Sequence, residues 1–344
     1  MQKAYLAAMI NALILGASGY VGGELLRLLA AHPHIQPKLL IGDSDAGKRV
    51  ADVHPALALA YPNAIICSFD KDMLRDSDLV FAALPHGKSQ ELAPDILDAN
   101  IHFVDLGADF RLDTAEEYAR WYGEAHQAPD LLDTFTYGIP EFHRDRIAGS
   151  KSVSAAGCYA TAAILALKPL VDAGLIEMGT ITVDGMSGVS GAGKAATAKT
   201  HFDSVHGSIG AYGLLTHRHT AEMQMMLRQD VLFTPHLVPM DRGLLVTAYG
   251  GAAAGSGDPL DVLAAAYAGE RFIRVSDQPP GTKSLSGTNA AFLTARRCYR
   301  TGKILTQCAI DNLGKGAAGQ MIQCANIMLG LDEGAGLSLA GMWP

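Results

Sequence analysis

No cysteine in this chain forms a C-x-x-C pair. The 5 cysteines, at positions 67, 158, 298, 308 and 324, are odd in number and far apart. That spacing suggests neither a disulfide framework nor a zinc ribbon, and a reducing cytosol fits it best; no metal is expected, since His217, His219 and His201 or His206 follow no recognised ligand spacing. Basic charge is also scarce, with 27 Lys and Arg against 35 Asp and Glu and a formal net charge of -8. The basic footprint of a nucleic-acid or anionic-membrane partner is therefore missing. Long apolar runs are absent too: the segment after Met1-Gln2-Lys3-Ala4-Tyr5-Leu6 is broken at Gly16, too early to span a bilayer. Composition alone leaves a signal peptide open, but the glycine loop that follows gives the segment a better use as a first strand. No internal repeat, coiled coil or low-complexity tract stands out.

What is present is a large apolar content. With 344 residues, 49% hydrophobic and 18% charged, the chain exceeds what one ordinary core organises and predicts two domains around a small soluble ligand. The apolar run Ala8 to Leu15 leads into Gly16-Ala17-Ser18-Gly19-Tyr20-Val21-Gly22-Gly23 and then into a helix-forming stretch from Glu24. Strand, glycine turn and helix in that order predict a dinucleotide loop: the glycines permit a tight turn and let backbone N–H groups approach a pyrophosphate. A glycine turn that only packs helix against strand reads the same way. Further strands are expected at Lys38 to Ile41, Leu79 to Leu84 and Ile101 to Asp105. The last two run into the loops Pro85-His86-Gly87-Lys88-Ser89 and Leu106-Gly107-Ala108-Asp109-Phe110-Arg111. Residues 1–155 thus read as an α/β, Rossmann-like, doubly wound nucleotide-binding domain. The loop after the second strand leaves the cofactor open. Its acidic residues suit a free ribose hydroxyl, while Ser44, Lys48 and Arg49 suit a 2′-phosphate.

Residues 156–316 change character. Strands at Gly179 to Val183, Gly243 to Tyr249 and Ile304 to Ile310, with a helix over Pro259 to Tyr267 capped by Asp258, predict an α+β domain. The tail 317–344 is expected to return a helix, Ala317 to Leu329, to the first domain. In Ser154-Ala155-Ala156-Gly157-Cys158-Tyr159-Ala160-Thr161, small residues give way to a helix-forming run at the thiol. The helix dipole and free N–H groups at such a start favour thiolate, and can lower a cysteine pKa toward roughly 3.5 to 7.5. His217-Arg218-His219-Thr220-Ala221-Glu222 supplies two imidazoles, either of which can serve as acid or base beside a thiol. Ser187-Gly188-Val189-Ser190-Gly191-Ala192-Gly193-Lys194 nearly spells a nucleoside-triphosphate loop, but Ala195 stands where Ser or Thr would hold magnesium. An anion-holding nest with Lys194 as its charge is the plainer reading.

Taken in order, these motifs resemble the N-acetyl-γ-glutamyl-phosphate reductases, relatives of aspartate-semialdehyde dehydrogenase. The likeness runs from Gly-Ala-Ser-Gly-Tyr-Val-Gly-Gly at Gly16 through Asp-Ala-Gly-Lys at Asp45, Ala-Leu-Pro-His-Gly at Ala83 and Gly-Ala-Asp-Phe-Arg-Leu at Gly107. It continues with Tyr-Gly-Ile-Pro-Glu at Tyr137, Ala-Gly-Cys-Tyr-Ala-Thr at Ala156, His-Arg-His-Thr-Ala-Glu at His217 and Ile-Asp-Asn-Leu-Gly-Lys-Gly at Ile310. The family usually has proline where Ala156 and Ala160 stand, so the nucleophile turn loses a stiffening element. The resemblance implies NADPH-dependent reduction of an acyl phosphate through a cysteine thioester, in a cytoplasmic homo-oligomer built on the second-domain sheet. It implies Cys158 as nucleophile and His217 as acid/base. Cofactor contact is expected at Gly16, Ser18, Gly19, Tyr20, Gly22, Ser44, Pro85, Ser187, Gly188 and Asn312, and substrate contact at Arg111, Lys194 and Glu222. Other substrates of the same chemistry are aspartyl and aminoadipyl phosphates. Outside the class, a phosphate-loop NTPase rests on Gly188 to Lys194, and a catalytically silent dinucleotide-binding protein remains the third reading.

Overall fold

The computed structural model describes residues 9–254 and 257–342, so Ala8 and the segment from Met1 to Leu6 lie outside the described residues. Their strands form two sheets, and the chain divides into two units. Unit 1 comprises residues 1–110, 133–155 and 321–337; unit 2 comprises residues 111–132, 156–320 and 338–344.

Unit 1 is built on strands β1 (Ile10–Leu15), β2 (Ile35–Ile41), β3 (Leu79–Ala82), β4 (His102–Asp105), β5 (Phe135–Gly138) and β6 (Ser152–Ala155). Every pairing is parallel, and the order is β2-β1-β3-β4-β6-β5. Strands covered on both faces need apolar side chains on both faces, which is why β3 is apolar throughout and β1 from Ala12 onward. The order reverses between β1 and β3, and this is where doubly wound sheets take ligands. Helix α1 (Tyr20–Leu29) follows the glycine turn, and α2 (Ser89–Asp98) follows the loop after β3. Gly16 needs its freedom: its φ is +84°, and an added Cβ would lie 2.3 Å from the Ala83 carbonyl oxygen. Gly22 is as constrained, since its Cβ would lie 2.2 Å from the Gly16 carbonyl oxygen. The two glycines let α1 close onto the end of β1.

Unit 2 holds β7 (Ile181–Gly188), β8 (Gly210–Ala211), β9 (Val231–Val238), β10 (Leu244–Gly251), β11 (Ile273–Val275), β12 (Ala291–Cys298) and β13 (Lys303–Ile310), in the order β11-β12-β13-β10-β7-β9-β8. Parallel and antiparallel pairs are mixed, as an α+β reading requires. One face buries Val183, Phe233, Leu244, Val246, Ala248 and Leu293. Helices α3 (Cys158–Asp172) and α5 (Pro259–Ala266) pack against strands of this sheet, and α4 (His219–Leu227) packs on α3. Asp258 caps α5 by accepting the Leu260 N–H at 2.8 Å. The other face carries Asp184, Met186, Leu232, Thr234, Thr247 and Tyr249, none of them buried.

The division differs from the expected cut at residue 155. Residues 111–132 leave unit 1 for unit 2, and of the tail only 321–337 belongs with unit 1. Within unit 1 that tail is held by polar contacts: Asn326 bonds the His32 ring at 3.0 Å, and Glu333 pairs with Arg144. The expected closing helix is a π-helical turn, Gly314–Ala318, running into α6 (Gly319–Met328). No helix of the described residues is long and apolar enough to cross a membrane.

The close approach at Gly22 predicts a stability contrast. Gly22→Ala must displace backbone and is expected to cost about 1–3 kcal/mol in urea unfolding, the usual range for overpacking. Gly19→Ala, whose methyl meets only the Gly16 oxygen at 3.4 Å, is expected to cost far less. Equal costs would overturn the packing account.

Candidate active site

The glycine loop of unit 1 is shaped by its own backbone. The N–H groups of Gly16 and Ala17 both donate to the Ile41 carbonyl, and Gly19 N–H donates back to Gly16. Gly19 caps α1 without a side-chain bond, and the first turn of α1 carries no acidic residue. An added Cβ at Gly19 meets nothing closer than 3.4 Å, so the approach to the helix start is open. A helix start that is positive, uncapped and free of carboxylates fits a dinucleotide's pyrophosphate. Ser18 lies under Gly42, whose Cβ would meet its Oγ at 2.8 Å, and Tyr20 is exposed. Gly16, Ser18 and Gly19 are thus on one loop and Tyr20 and Gly22 in the first turn of α1 that follows it, at the strand ends where Ser44 and Pro85 also stand exposed. Lys48 and Arg49, expected to hold a 2′-phosphate with Ser44, are ion-paired with Asp45 and Asp52.

The thiol sits in unit 2. Cys158 is the first residue of α3 and Gly157 its N-cap. Gly157 is required there because the His219 ring occupies the place of its side chain, with Nε2 2.3 Å from an ideal Cβ. Its N–H donates to Glu222 Oε2 at 2.9 Å. Glu222 Oε1 accepts from Arg111 Nη1 at 3.0 Å and lies 3.9 Å from His219 Nε2. Arg111 and Glu222 are both buried. Arg111 and Glu222, expected to touch substrate, are therefore joined to each other beneath the Cys158 turn. The turn lacks the family's prolines, yet Ala156 and Ala160 are fully buried and Gln320 Nε2 donates to the Ala156 carbonyl and to Thr161 Oγ1. Side-chain hydrogen bonds hold what proline would have stiffened.

On the other flank, His217 lies edge-on to Tyr159 at 5.6 Å, Tyr212 at 5.5 Å and Phe233 at 5.3 Å between ring centroids. Its Nδ1 accepts the backbone N–H of His219 at 3.3 Å. Burial lowers both imidazoles to about 3, with the neighbouring positive groups adding to the effect. Both rings are neutral at pH 7. The cysteine departs from expectation. Cys158 keeps partial surface exposure, but protein crowds its sulfur, and that desolvation pushes the thiol up to about 11 against the opposing pull of the Tyr159 N–H and Arg111. Burial outweighs the helix start, so the thiol, not the thiolate, is the resting form at neutral pH.

The 187–194 loop is also not the nest expected of it. The N–H groups of Gly188, Val189 and Ser190 are spent on the carbonyls of Gly243, Met240 and Asp241. Ser187 is buried, while Lys194 is exposed. Asn312 braces this loop: Nδ2 donates to Ser190 Oγ at 2.9 Å, and Oδ1 accepts Gly243 N–H at 2.7 Å. Sequence reasoning missed its neighbour Asp311, which is fully buried, pairs with Arg242 at 2.9 Å and accepts the N–H groups of Gly287, Leu313 and Gly314. It also missed Gly316, whose Cβ would meet Cys158 Cβ at 2.8 Å. Both lie in or beside the Ile-Asp-Asn-Leu-Gly-Lys-Gly motif, which was the available signal. Cys158, His217, His219, Arg111, Glu222 and Asn312 all belong to unit 2. Among the described residues no cluster has the composition of a metal site.

Comparison with known proteins agrees across nearly the whole chain. Residues 11–150 match the model of the semialdehyde dehydrogenase NAD binding domain, and residues 158–312 match that of the semialdehyde dehydrogenase dimerisation domain. N-acetyl-gamma-glutamyl-phosphate reductases of Pseudomonas aeruginosa and Desulforudis audaxviator are 41% and 42% identical, each over 98% of this chain and 100% of theirs. Among solved structures, aspartate semialdehyde dehydrogenase II of Vibrio cholerae shares the fold at a TM-score of 0.70 and 18% identity, covering 94% of this chain and 99% of that one. The Candida albicans aspartate semialdehyde dehydrogenase with NADP aligns equally well, at 16% identity and a TM-score of 0.70 over 94% of this chain and 99% of its own. The chain belongs to the N-acetyl-gamma-glutamyl-phosphate reductase family of the semialdehyde dehydrogenases.

Proposed function

We propose that this chain catalyses NADPH-dependent reduction of N-acetyl-γ-glutamyl phosphate to the semialdehyde, with release of phosphate, in arginine biosynthesis. The observation that carries the chemistry is a thiol at a helix start, flanked by two neutral imidazoles and a buried Arg111–Glu222 pair. The substrate comes from the relatives' names. A resting thiol needs a base, and His217 is the proton carrier: it takes the Cys158 proton as the sulfur attacks the acyl carbon. Phosphate departs with the electron pair of the broken C–O bond and leaves a thioester on Cys158. When bound, the dinucleotide supplies the hydride that reduces the thioester carbon. His217 returns its proton to the resulting oxyanion, and collapse of the thiohemiacetal frees the aldehyde and Cys158. Glu222 acts as a positioning residue, fixing Gly157 and balancing Arg111, and Asn312 holds the 187–194 loop in place.

Gly16, Ser18, Gly19, Tyr20 and Gly22 would hold the dinucleotide, with Ser44 and Pro85 beside them. Lys194 is the exposed charge offered to the substrate phosphate. The reading includes a homo-oligomer formed through the open face of the seven-stranded sheet, which the description of the matching dimerisation domain supports. It also includes a cytoplasmic location, which five free cysteines suit.

Cys158→Ser is expected to abolish phosphate-dependent NADP⁺ reduction with N-acetylglutamate semialdehyde while NADPH binding persists; near-normal turnover would refute the covalent mechanism. His217→Ala is expected to slow turnover by about 10²- to 10⁴-fold, the usual span for a positioned acid/base group. If His219→Ala has that effect and His217→Ala does not, the roles within the pair are reversed. The buried neutral imidazoles also set a pH dependence. In the unfolded chain histidine protonates near 6.5, whereas in the fold these two resist to about 3. Their contribution is complete above pH 6.5 and is lost as pH falls from there toward 3. Urea midpoints at pH 7.5 and 5.0 should therefore fall less in His219→Gln than in the parent chain, and equal falls would count against burial of the neutral ring.

A further inference from the structure

Between β7 and α4 the chain sends out an arm, residues 191–218, whose one strand among the described residues is two residues long. That strand, β8, pairs Gly210 with Leu237 and Ala211 with His236 on β9. The arm is apolar where a monomer would keep it polar. Phe202 is 79% exposed, Ile209 65%, Leu214 60% and Leu215 74%. Four large apolar side chains exposed within fourteen residues are more than the scattered single exposures that need no explanation, and they mark an interaction surface.

The arm is also strained at one of these residues. Leu215 has φ +62°, a left-handed conformation that costs an L-residue on the order of 1–2 kcal/mol. Among the described residues only two other non-glycines have positive φ, and each has a local reason. Asn100 is of a type that tolerates the conformation, and Arg228 ends α4 in the left-handed cap. Leu215 sits inside the turn Gly213–Thr216, closed by the Thr216 N–H to the Gly213 carbonyl at 3.1 Å. His217 follows immediately, and the ideal Cβ of Gly213 lies 3.5 Å from His217 Cβ. The strained, apolar turn is therefore the mount of an imidazole in the site.

A second copy of the chain is the occupant these observations favour. The family's dimerisation domain spans residues 158–312 and so contains the whole arm. The arm leaves from β8 at the edge of the same sheet, whose open face adds the exposed Met186 and Leu232. We propose that a second copy docks on Phe202, Ile209, Leu214 and Leu215, and that this contact holds the 213–217 turn so that the site is incomplete in a single chain. The inference rests on the proposed self-association and on the role given to His217, and it adds that the two are coupled.

The test measures sedimentation velocity and specific activity of the full chain at the same series of protein concentrations. It compares the parent with Phe202→Asp and with Leu215→Asn, which keeps a residue type tolerant of the left-handed backbone while removing the apolar group. The parent's activity per chain is expected to fall on dilution in step with dissociation. Each variant should weaken association at least about tenfold, about 1.4 kcal/mol, and shift the activity curve by the same factor, with circular dichroism unchanged. Variants that associate like the parent overturn the inference while leaving self-association intact, as do variants that dissociate and keep full activity per chain. A parent that stays monomeric and fully active at every concentration overturns the inference and the self-association reading together. Association is read without turnover, so a parent that dimerises but reduces no acyl phosphate identifies the failure as that of the proposed reaction.

Discussion

A carboxylate with no access to water organises unit 2. Glu222 is fully buried, and a buried charge costs several kcal/mol unless it is paired and hydrogen-bonded. Its two oxygens meet that demand with Arg111 and the Gly157 N–H. Those two partners come from positions 111 and 65 residues away in the chain. The Cys158 turn, the start of α4 and the segment 111–132 are thereby tied at one point. The segment's membership in unit 2 follows, since Arg111 cannot leave without stranding a buried negative charge. So does the identity of residue 157, because an imidazole of the same helix fills the space of any side chain there.

The same crowding sets the chemistry of the thiol. A helix start favours thiolate by a modest amount, worth about 0.3–1 kcal/mol at an exposed site. Desolvation of the sulfur acts in the opposite direction and is the larger effect here. The imidazoles respond to burial by staying neutral. Burial thus raises the thiol and lowers the imidazoles beside it, so in the resting site every one of these groups is held in its neutral form.

Much of unit 1 was legible in the sequence. β1, the glycine turn and α1 are contiguous, and apolar run, glycine spacing and helix-forming residues each point to the same local conformation. The Asp258 cap of α5 was legible for the same reason: cap and helix are adjacent in the chain. β9 was not among the expected strands; it carries Pro235, and its outer neighbour β8 covers only two residues, so β9 is nearly an edge, where proline is tolerated. The 187–194 loop misled in the other direction. Its glycine pattern suggested N–H groups free to hold an anion, but their partners are carbonyls at 240–243, half a hundred residues away.

Sequence by itself determined the elements whose causes are local: the parallel strands with apolar faces on both sides, the glycine turn between β1 and α1, and a cysteine at the first residue of a helix. It also carried the family in a string of ordered motifs. Only the tertiary structure decided that Cys158 rests as a thiol, that Arg111 and Glu222 satisfy each other beneath it, and that Gln320 and Glu222 hold a turn lacking its prolines. The physical reason is that desolvation and ion pairing depend on which residues share a volume. Those residues are distant in the chain, and local spacing does not record their meeting.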